Sequence, residues 1–176
     1  MPDPGAAGPV DADFGTSDPE SVARSILLQR LTRSPATRSQ LSDLLARRGV
    51  PADAADRVLD RFCEVGLIDD GRFALDWVES RHAGRGLARR ALAHELRNKG
   101  VSQEQIETAL SDLQPDVERA TAHRLAARRL GSLLGLPADV QRRRLAGYLA
   151  RKGYPAGLVY DVVSEVIAEE AADSRV

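Results

Sequence analysis

From residue 17 onward the chain is a succession of apolar positions three and four residues apart, the spacing of one helix face, and no alternating strand pattern interrupts it. Each stripe opens at a cap-forming residue or a proline, and most close at a glycine. Ser17, Asp18 and Pro19 open a first helix whose stripe runs Val22, Ile26, Leu27, Leu31. Thr37 with Gln40 is a capping-box pattern ahead of Leu41, Leu44 and Leu45, and that helix stops at Gly49. Pro51 starts a third helix through Val58, Leu59 and Phe62, ending at Gly66. The next stretch repeats the plan. Asp69 or Asp70 caps a helix carrying Phe73, Trp77 and Val78, and Gly84 and Gly86 punctuate it. Leu92 and Leu96 lead to Gly100, and Ser102 with Gln105 boxes a helix carrying Ile106, Leu110 and Leu113. Pro115 begins a third round through Leu125 and Leu130 to a break at 131–137. Leu145 and Leu149 then lead to Gly153, and a last helix carries Val159, Val162, Val163 and Val166. Nine helices are predicted, and the fold class is all-α.

Self-alignment makes this a repeat. With Gly49, Gly100 and Gly153 in register, Leu41, Leu92 and Leu145 stand eight positions earlier, Leu45, Leu96 and Leu149 four earlier, and the bases Arg48, Lys99 and Lys152 one earlier. Leu59, Leu110 and Val163 follow ten positions later, and Phe62, Leu113 and Val166 thirteen later. A helical pair buries one face only, so neighbouring units are expected to complete each other's core, as in solenoid arrays. The expectation is an elongated, curved array of three tandem three-helix repeats at 17–66, 67–114 and 115–171, with a tail at 172–176. Residues 1–16, rich in Gly, Pro, Ala and Asp with a lone Phe14, are expected to form a disordered acidic arm, because they bury too little apolar surface to offset ordering entropy.

Charge changes this picture. The net charge of -1 conceals a strong separation along the chain: residues 1–20 carry five acids and no base, whereas 21–164 hold 24 bases against 17 acids. Six bases stand against Glu95 over 81–99, and nine against Asp139 over 119–152, while 43–79 is acidic. Two readings remain open for such clusters: a patch that meets a polyanion, or helices with ordinary solvated faces. Twenty-three of the 25 bases are Arg, which coding bias alone could produce. Arg90 and Arg97 lie seven apart and face away from the Leu92 and Leu96 stripe, and Arg144 and Arg151 repeat that spacing opposite Leu145 and Leu149.

Little else suggests chemistry. Cys63 is the only cysteine, so no disulfide or multi-cysteine cluster is expected, and a reducing compartment, the cytoplasm, fits. No base precedes Arg24 and no long apolar run occurs, so neither a secretory signal nor a membrane span is expected. His82, His94 and His123 lack the spacing of a helical zinc pair, and Gly84-Arg85-Gly86 lacks the third glycine of a dinucleotide loop. Asp69 and Asp70 could pose as a metal or acid/base pair, but an N-cap explains them more simply. Cys63 and Trp77 are read as core, and no aromatic residue interleaves the bases as a stacking platform would. No catalytic residue, metal site or cofactor is assigned.

The residues nevertheless resemble a known family. Gly66-Leu67-Ile68-Asp69-Asp70-Gly71-Arg72-Phe73-Ala74, then Ser80-Arg81, then Gly86 leading to Leu92, Glu95-Leu96 and Lys99-Gly100-Val101-Ser102, is similar to the central signature of the RecX regulatory family. Arg142 to Leu145, Tyr148-Leu149 and Arg151-Lys152-Gly153-Tyr154 resemble its C-terminal signature, and the likeness spans roughly residues 20–168. The acidic arm and the break at 131–137 depart from it. The resemblance implies three tandem three-helix units and a non-enzymatic activity: binding the RecA recombinase and its DNA filament and modulating, in the family usually inhibiting, its ATP hydrolysis, strand exchange and coprotease activity in DNA repair and the SOS response, with the sign of the effect in this chain left open. The expected partners are the RecA filament and single- or double-stranded DNA within it, with no membrane, and the protein is expected to act as a monomer. The residues assigned to filament or DNA contact are Arg72, Arg81, Arg85, Arg89, Arg90, Arg97 and Lys99 in the middle unit, and Arg128, Arg129, Arg142, Arg143, Arg144, Arg151 and Lys152 in the last. Arg72 is left open between a surface contact and an intramolecular pair. The rival is a stand-alone DNA-binding regulator, in which Thr37 to Phe62 form a helix-turn-helix.

Overall fold

The computed structural model describes residues 18–173, so the arm expected at 1–16 and most of the tail expected at 172–176 lie outside the described residues. Among the described residues there are nine α-helices, one 3-10 turn and no strand. They belong to two compact units, one ending at Asp69 and one starting at Asp70.

The first unit holds α1 (Pro19–Leu31), α2 (Arg38–Arg47) and α3 (Ala52–Glu64). Thr37 caps α2 as its spacing predicts: its hydroxyl accepts from the Gln40 amide at 3.2 Å, and the Gln40 side chain accepts from the Thr37 amide at 3.2 Å. That reciprocal pair satisfies two of the amides a helix start leaves unpaired, which lets Thr37 be fully buried. Leu27, Leu41, Leu45 and Leu59 are completely enclosed, with Phe62 and Ile68 closing the core and Cys63 packed at its edge. Enclosing one leucine contributes roughly 2 kcal/mol, so these stripes dominate the unit's stability.

The second unit holds two further helical triplets. The first is α4 (Asp70–Arg85), α5 (Arg89–Asn98) and α6 (Gln103–Ala109). The second is α7 (Pro115–Leu130), α8 (Ala138–Arg151) and α9 (Ala156–Asp173), with the 3-10 turn Gly131–Leu133 between α7 and α8. One core gathers Leu92, Leu96, Ile106 and Leu110, and another gathers Leu130, Leu145, Leu149, Val162 and Val163. Every repeat position derived above from Leu41 to Val166 that is apolar is buried.

The repeating glycines have one physical cause. Gly49, Gly100 and Gly153 adopt φ of +74°, +77° and +91°, the left-handed region that side chains resist. In each case the next amide bonds back five residues, Val50 to the Leu45 carbonyl at 3.1 Å, Val101 to Leu96 at 3.2 Å and Tyr154 to Leu149 at 3.4 Å. This closing turn satisfies the last carbonyls of α2, α5 and α8 and buries the residue after the glycine. Gly84 differs from expectation. It lies inside α4, which leaves the helix only at Gly86, where φ is +59°; an isolated glycine weakens a helix without ending it.

The two triplets of this unit are tied together at the α4–α5 and α8–α9 turns. The Tyr154 hydroxyl donates to the Gly86 carbonyl at 3.0 Å, the Ala88 amide donates to the Lys152 carbonyl at 2.9 Å, and the Lys152 ammonium donates to the Arg85 carbonyl at 2.5 Å. Two glycines stand at close approaches, Gly153 against the Ala91 backbone and Gly86 against the end of the Leu125 side chain. A Cβ at Gly86 would stand 2.5 Å from a Leu125 methyl, and one at Gly153 would stand 2.7 Å from the Ala91 Cβ. Nearby, His82 is held through Nδ1 by the Leu87 carbonyl at 2.9 Å and through Nε2 by the Thr121 hydroxyl at 3.2 Å.

Candidate nucleic-acid interface

The helical frame sorts the predicted cations into two groups. Arg72 pairs with Asp76 one turn on at 3.0 Å, on an exposed face. Phe73, Trp77 and Arg81 occupy successive turns of α4, and the stripe read as core is a half-buried stack. The Phe73 and Trp77 rings stack with centroids 5.7 Å apart. The Arg81 guanidinium lies 4.2 Å from the indole centroid and the Lys99 ammonium 4.0 Å from it, while the indole N–H donates to Glu95 Oε2 at 2.8 Å. Arg81 and Lys99 therefore hold an aromatic stack through cation–π contacts. Trp77 departs from a plain core residue because its polar edge found a carboxylate on α5.

Arg89 and Lys152 are engaged as well. Glu118 of α7 accepts from the Arg89 amide at 2.8 Å, supplying the cap that Ala88 cannot give to the start of α5. The Arg89 guanidinium reaches the Leu110 carbonyl at the end of α6. The Lys152 ammonium, besides bonding the Arg85 carbonyl, lies 5.1 Å from the Tyr148 ring centroid.

The other assigned residues, Arg85, Arg90, Arg97, Arg128, Arg129, Arg142, Arg143, Arg144 and Arg151, are exposed, and among the described residues none has a carboxylate within ion-pair distance. In the first unit Arg38, Arg57 and Arg61 are paired, Arg38 with Asp60 at 2.6 Å, Arg57 with Glu20 at 2.6 Å and with Asp53, and Arg61 with Glu64, whereas Arg24, Arg33, Arg47 and Arg48 are exposed with no carboxylate at ion-pair distance among the described residues. These contacts raise the pKa of Arg38 and Arg57 and lower that of Asp53, each chiefly through its side-chain hydrogen bond.

Seven of these nine guanidiniums, all but Arg85 and Arg128, border open clefts. Arg90 and Arg97 stand with His94 along one of about 570 Å³ floored by Ala91, Ala150 and Gly153. Arg129, Arg143, Arg144 and Arg151 surround a smaller one of about 350 Å³ between α7 and α8, over Gly147. A third, of about 630 Å³, lies between α8 and α9 and brings Arg142 and Arg143 beside Tyr160. Tyr160 was absent from the sequence reading, and with it the aromatic neighbour that reading found missing. Its signal was present: it lies one residue off the Val159, Val163, Val166 stripe, where an outward ring is not explained by packing. No group of three or more His, Cys, Asp or Glu that could hold a metal ion occurs among the described residues, and no helix there is long and apolar enough to cross a membrane.

Fold and surface together define a class: a tandem three-helix protein whose exposed chemistry is a set of arginines without carboxylate partners. The family descriptions "RecX, first three-helix domain", "RecX, second three-helix domain" and "RecX, third three-helix domain" match residues 23–62, 69–110 and 116–163. A regulatory protein RecX of Thermobifida fusca is 50% identical over 176 residues, covering 98% of this chain and 95% of the relative. One from Streptomyces coelicolor is 53% identical over 158 residues, covering 90% and 84%. The crystal structure of RecX from Lactobacillus salivarius superposes with a TM-score of 0.77 at 17% identity, over 86% of this chain and 98% of that one, which supports the fold. The chain belongs to the RecX family of regulatory proteins.

Proposed function

We propose that this protein regulates the RecA recombinase by binding, inhibiting ATP hydrolysis, strand exchange and coprotease activity of its DNA filament, and so acts in DNA repair and the SOS response. The observation that carries this reading is that nine of the assigned arginines, all in the second unit, are exposed without carboxylate partners, in a chain of a regulatory family. A nucleoprotein filament is a repeating polyanion with protein protomers at regular intervals, and helical triplets carrying free guanidiniums suit it through many modest contacts. No catalytic residue, metal or cofactor is needed. The protein works as a monomer in the cytoplasm, on RecA and on the DNA the filament holds. The test is RecA-driven, DNA-dependent ATP hydrolysis titrated with the protein. The rate is expected to fall as protein is added, and less so as salt rises; an unchanged rate, or preference for a particular naked duplex sequence, overturns the reading.

A further inference from the structure

Tyr160 is the one described aromatic side chain whose ring is both largely open to solvent, at 75% exposure, and without a ring or hydrogen-bond contact. Phe62 is buried, Phe73 and Trp77 stack on each other, Tyr148 lies under Lys152, and Tyr154 is bonded to Gly86. The cleft beneath Tyr160 has an apolar floor of Ala146, Val159 and Val163, with Arg142 and Arg143 on its α8 side. Arg143 also belongs to the neighbouring α7–α8 cleft, where Arg129, Arg144 and Arg151 converge. One arginine thus joins an open aromatic ring over an apolar floor to a cluster of guanidiniums.

These two halves suit two parts of one ligand. Guanidiniums recognise phosphodiester oxygens, and an aromatic face recognises the face of a nucleobase. In a duplex each base face is already stacked on its neighbours, so Tyr160 could contribute nothing there. In a single strand the faces are available. Asp139 also lines the Tyr160 cleft, where its carboxylate would repel phosphate and could accept from base amino groups, favouring a backbone that runs toward the arginine cluster. We propose that the third helical triplet selects single-stranded DNA, an unpaired base stacking on Tyr160 while Arg143 with Arg129, Arg144 and Arg151 holds the adjoining phosphates. The inference rests on the reading above only in assigning the cationic face to nucleic acid, and it does not require the recombinase.

The experiment is anisotropy of the full chain with a labelled 20-nucleotide mixed-sequence single strand and with the blunt duplex of that strand and its complement, across a salt series. The single strand is expected to bind more tightly. Tyr160→Ala is expected to weaken single-strand binding about tenfold and leave duplex binding unchanged, and Tyr160→Phe to retain the wild-type preference. Arg144→Ala and Arg151→Ala weaken both and flatten the salt dependence. Failure of the single strand to bind, single-strand binding no tighter than duplex binding, or Tyr160→Ala affecting both DNAs equally or neither, overturns the proposal. So does a Tyr160→Ala variant that loses only recombinase inhibition, since Tyr160 would then touch protein. If the wild type leaves RecA unaffected yet keeps its Tyr160-dependent preference, the regulatory reading falls and this one stands.

Discussion

The hydroxyl of Tyr154 donates to the carbonyl of Gly86 at 3.0 Å, joining residues 68 positions apart at the seam between two helical triplets. Tyr154 is buried, and burial pushes its phenol up to about 12. Because the folded value lies above the unfolded value of about 10, the contribution of the neutral phenol is fully present below pH 10 and is lost as pH rises through about 12. Urea midpoints measured from pH 8 to 12 should fall more steeply for wild type than for Tyr154→Phe. At pH 7 that variant should be less stable by about 1 kcal/mol, the worth of one hydrogen bond.

Gly153 has a positive φ and backs onto Ala91, whereas Gly66 has a positive φ of +74° with open space around it. Gly66→Ala should cost about 1–2 kcal/mol, the strain of the backbone alone. Gly153→Ala adds a clash and should cost about 2–4 kcal/mol. Urea denaturation followed by circular dichroism separates them, and equal losses would mean the seam yields freely.

Gly147 lies within α8, where its φ is helical and a Cβ would meet only the mobile end of Arg151, at 3.3 Å. Gly147→Ala should therefore stabilise the protein by about 0.5–1 kcal/mol in thermal or urea unfolding. A loss of stability would show that α8 tolerates no side chain at this position.

Arg90 and Arg97 carry exposed charges with no carboxylate partner, so Arg90→Glu with Arg97→Glu should leave unfolding within about 0.5 kcal/mol of wild type. The same double variant should weaken inhibition of RecA-driven ATP hydrolysis. Unchanged inhibition would remove the α5 patch from the binding face.

Arg81 and Lys99 make the opposite case. Lys99→Ala and Arg81→Ala should each cost about 0.5–1 kcal/mol of stability, because the cation over the indole is lost. Trp77 is the only tryptophan, so its emission should shift with either change and report the same unfolding. Substitutions that abolished DNA binding while leaving both emission and stability untouched would assign these cations to the ligand instead.

The local structure was legible because its causes are local. A capping box needs Thr37 and Gln40 three residues apart, a left-handed closing turn needs Gly49, Gly100 and Gly153, and a buried face needs Leu41 and Leu45 one turn apart. All of these are visible in a window of a few residues, and their recurrence exposed the repeat. Gly84 misled because a glycine in sequence does not disclose its φ, which here is set by the continuing helix.

Which cations remain free could not be read that way. Lys152 and Arg151 are adjacent in sequence, yet Lys152 is bound to the Arg85 carbonyl 67 residues away while Arg151 faces a cleft. Lys99 matches Arg48 and Lys152 in the repeat, but an indole four residues beyond Phe73 on another helix decides its surroundings. Tyr160 gained its meaning from Arg142 and Arg143 across α8. Periodicity states which side of a helix a residue occupies; only the packing of helices distant in sequence states what stands opposite. The sequence by itself therefore determined the helices, their caps and the repeated core, and the tertiary structure alone decided which charges are neutralised at seams and which stay exposed without a partner.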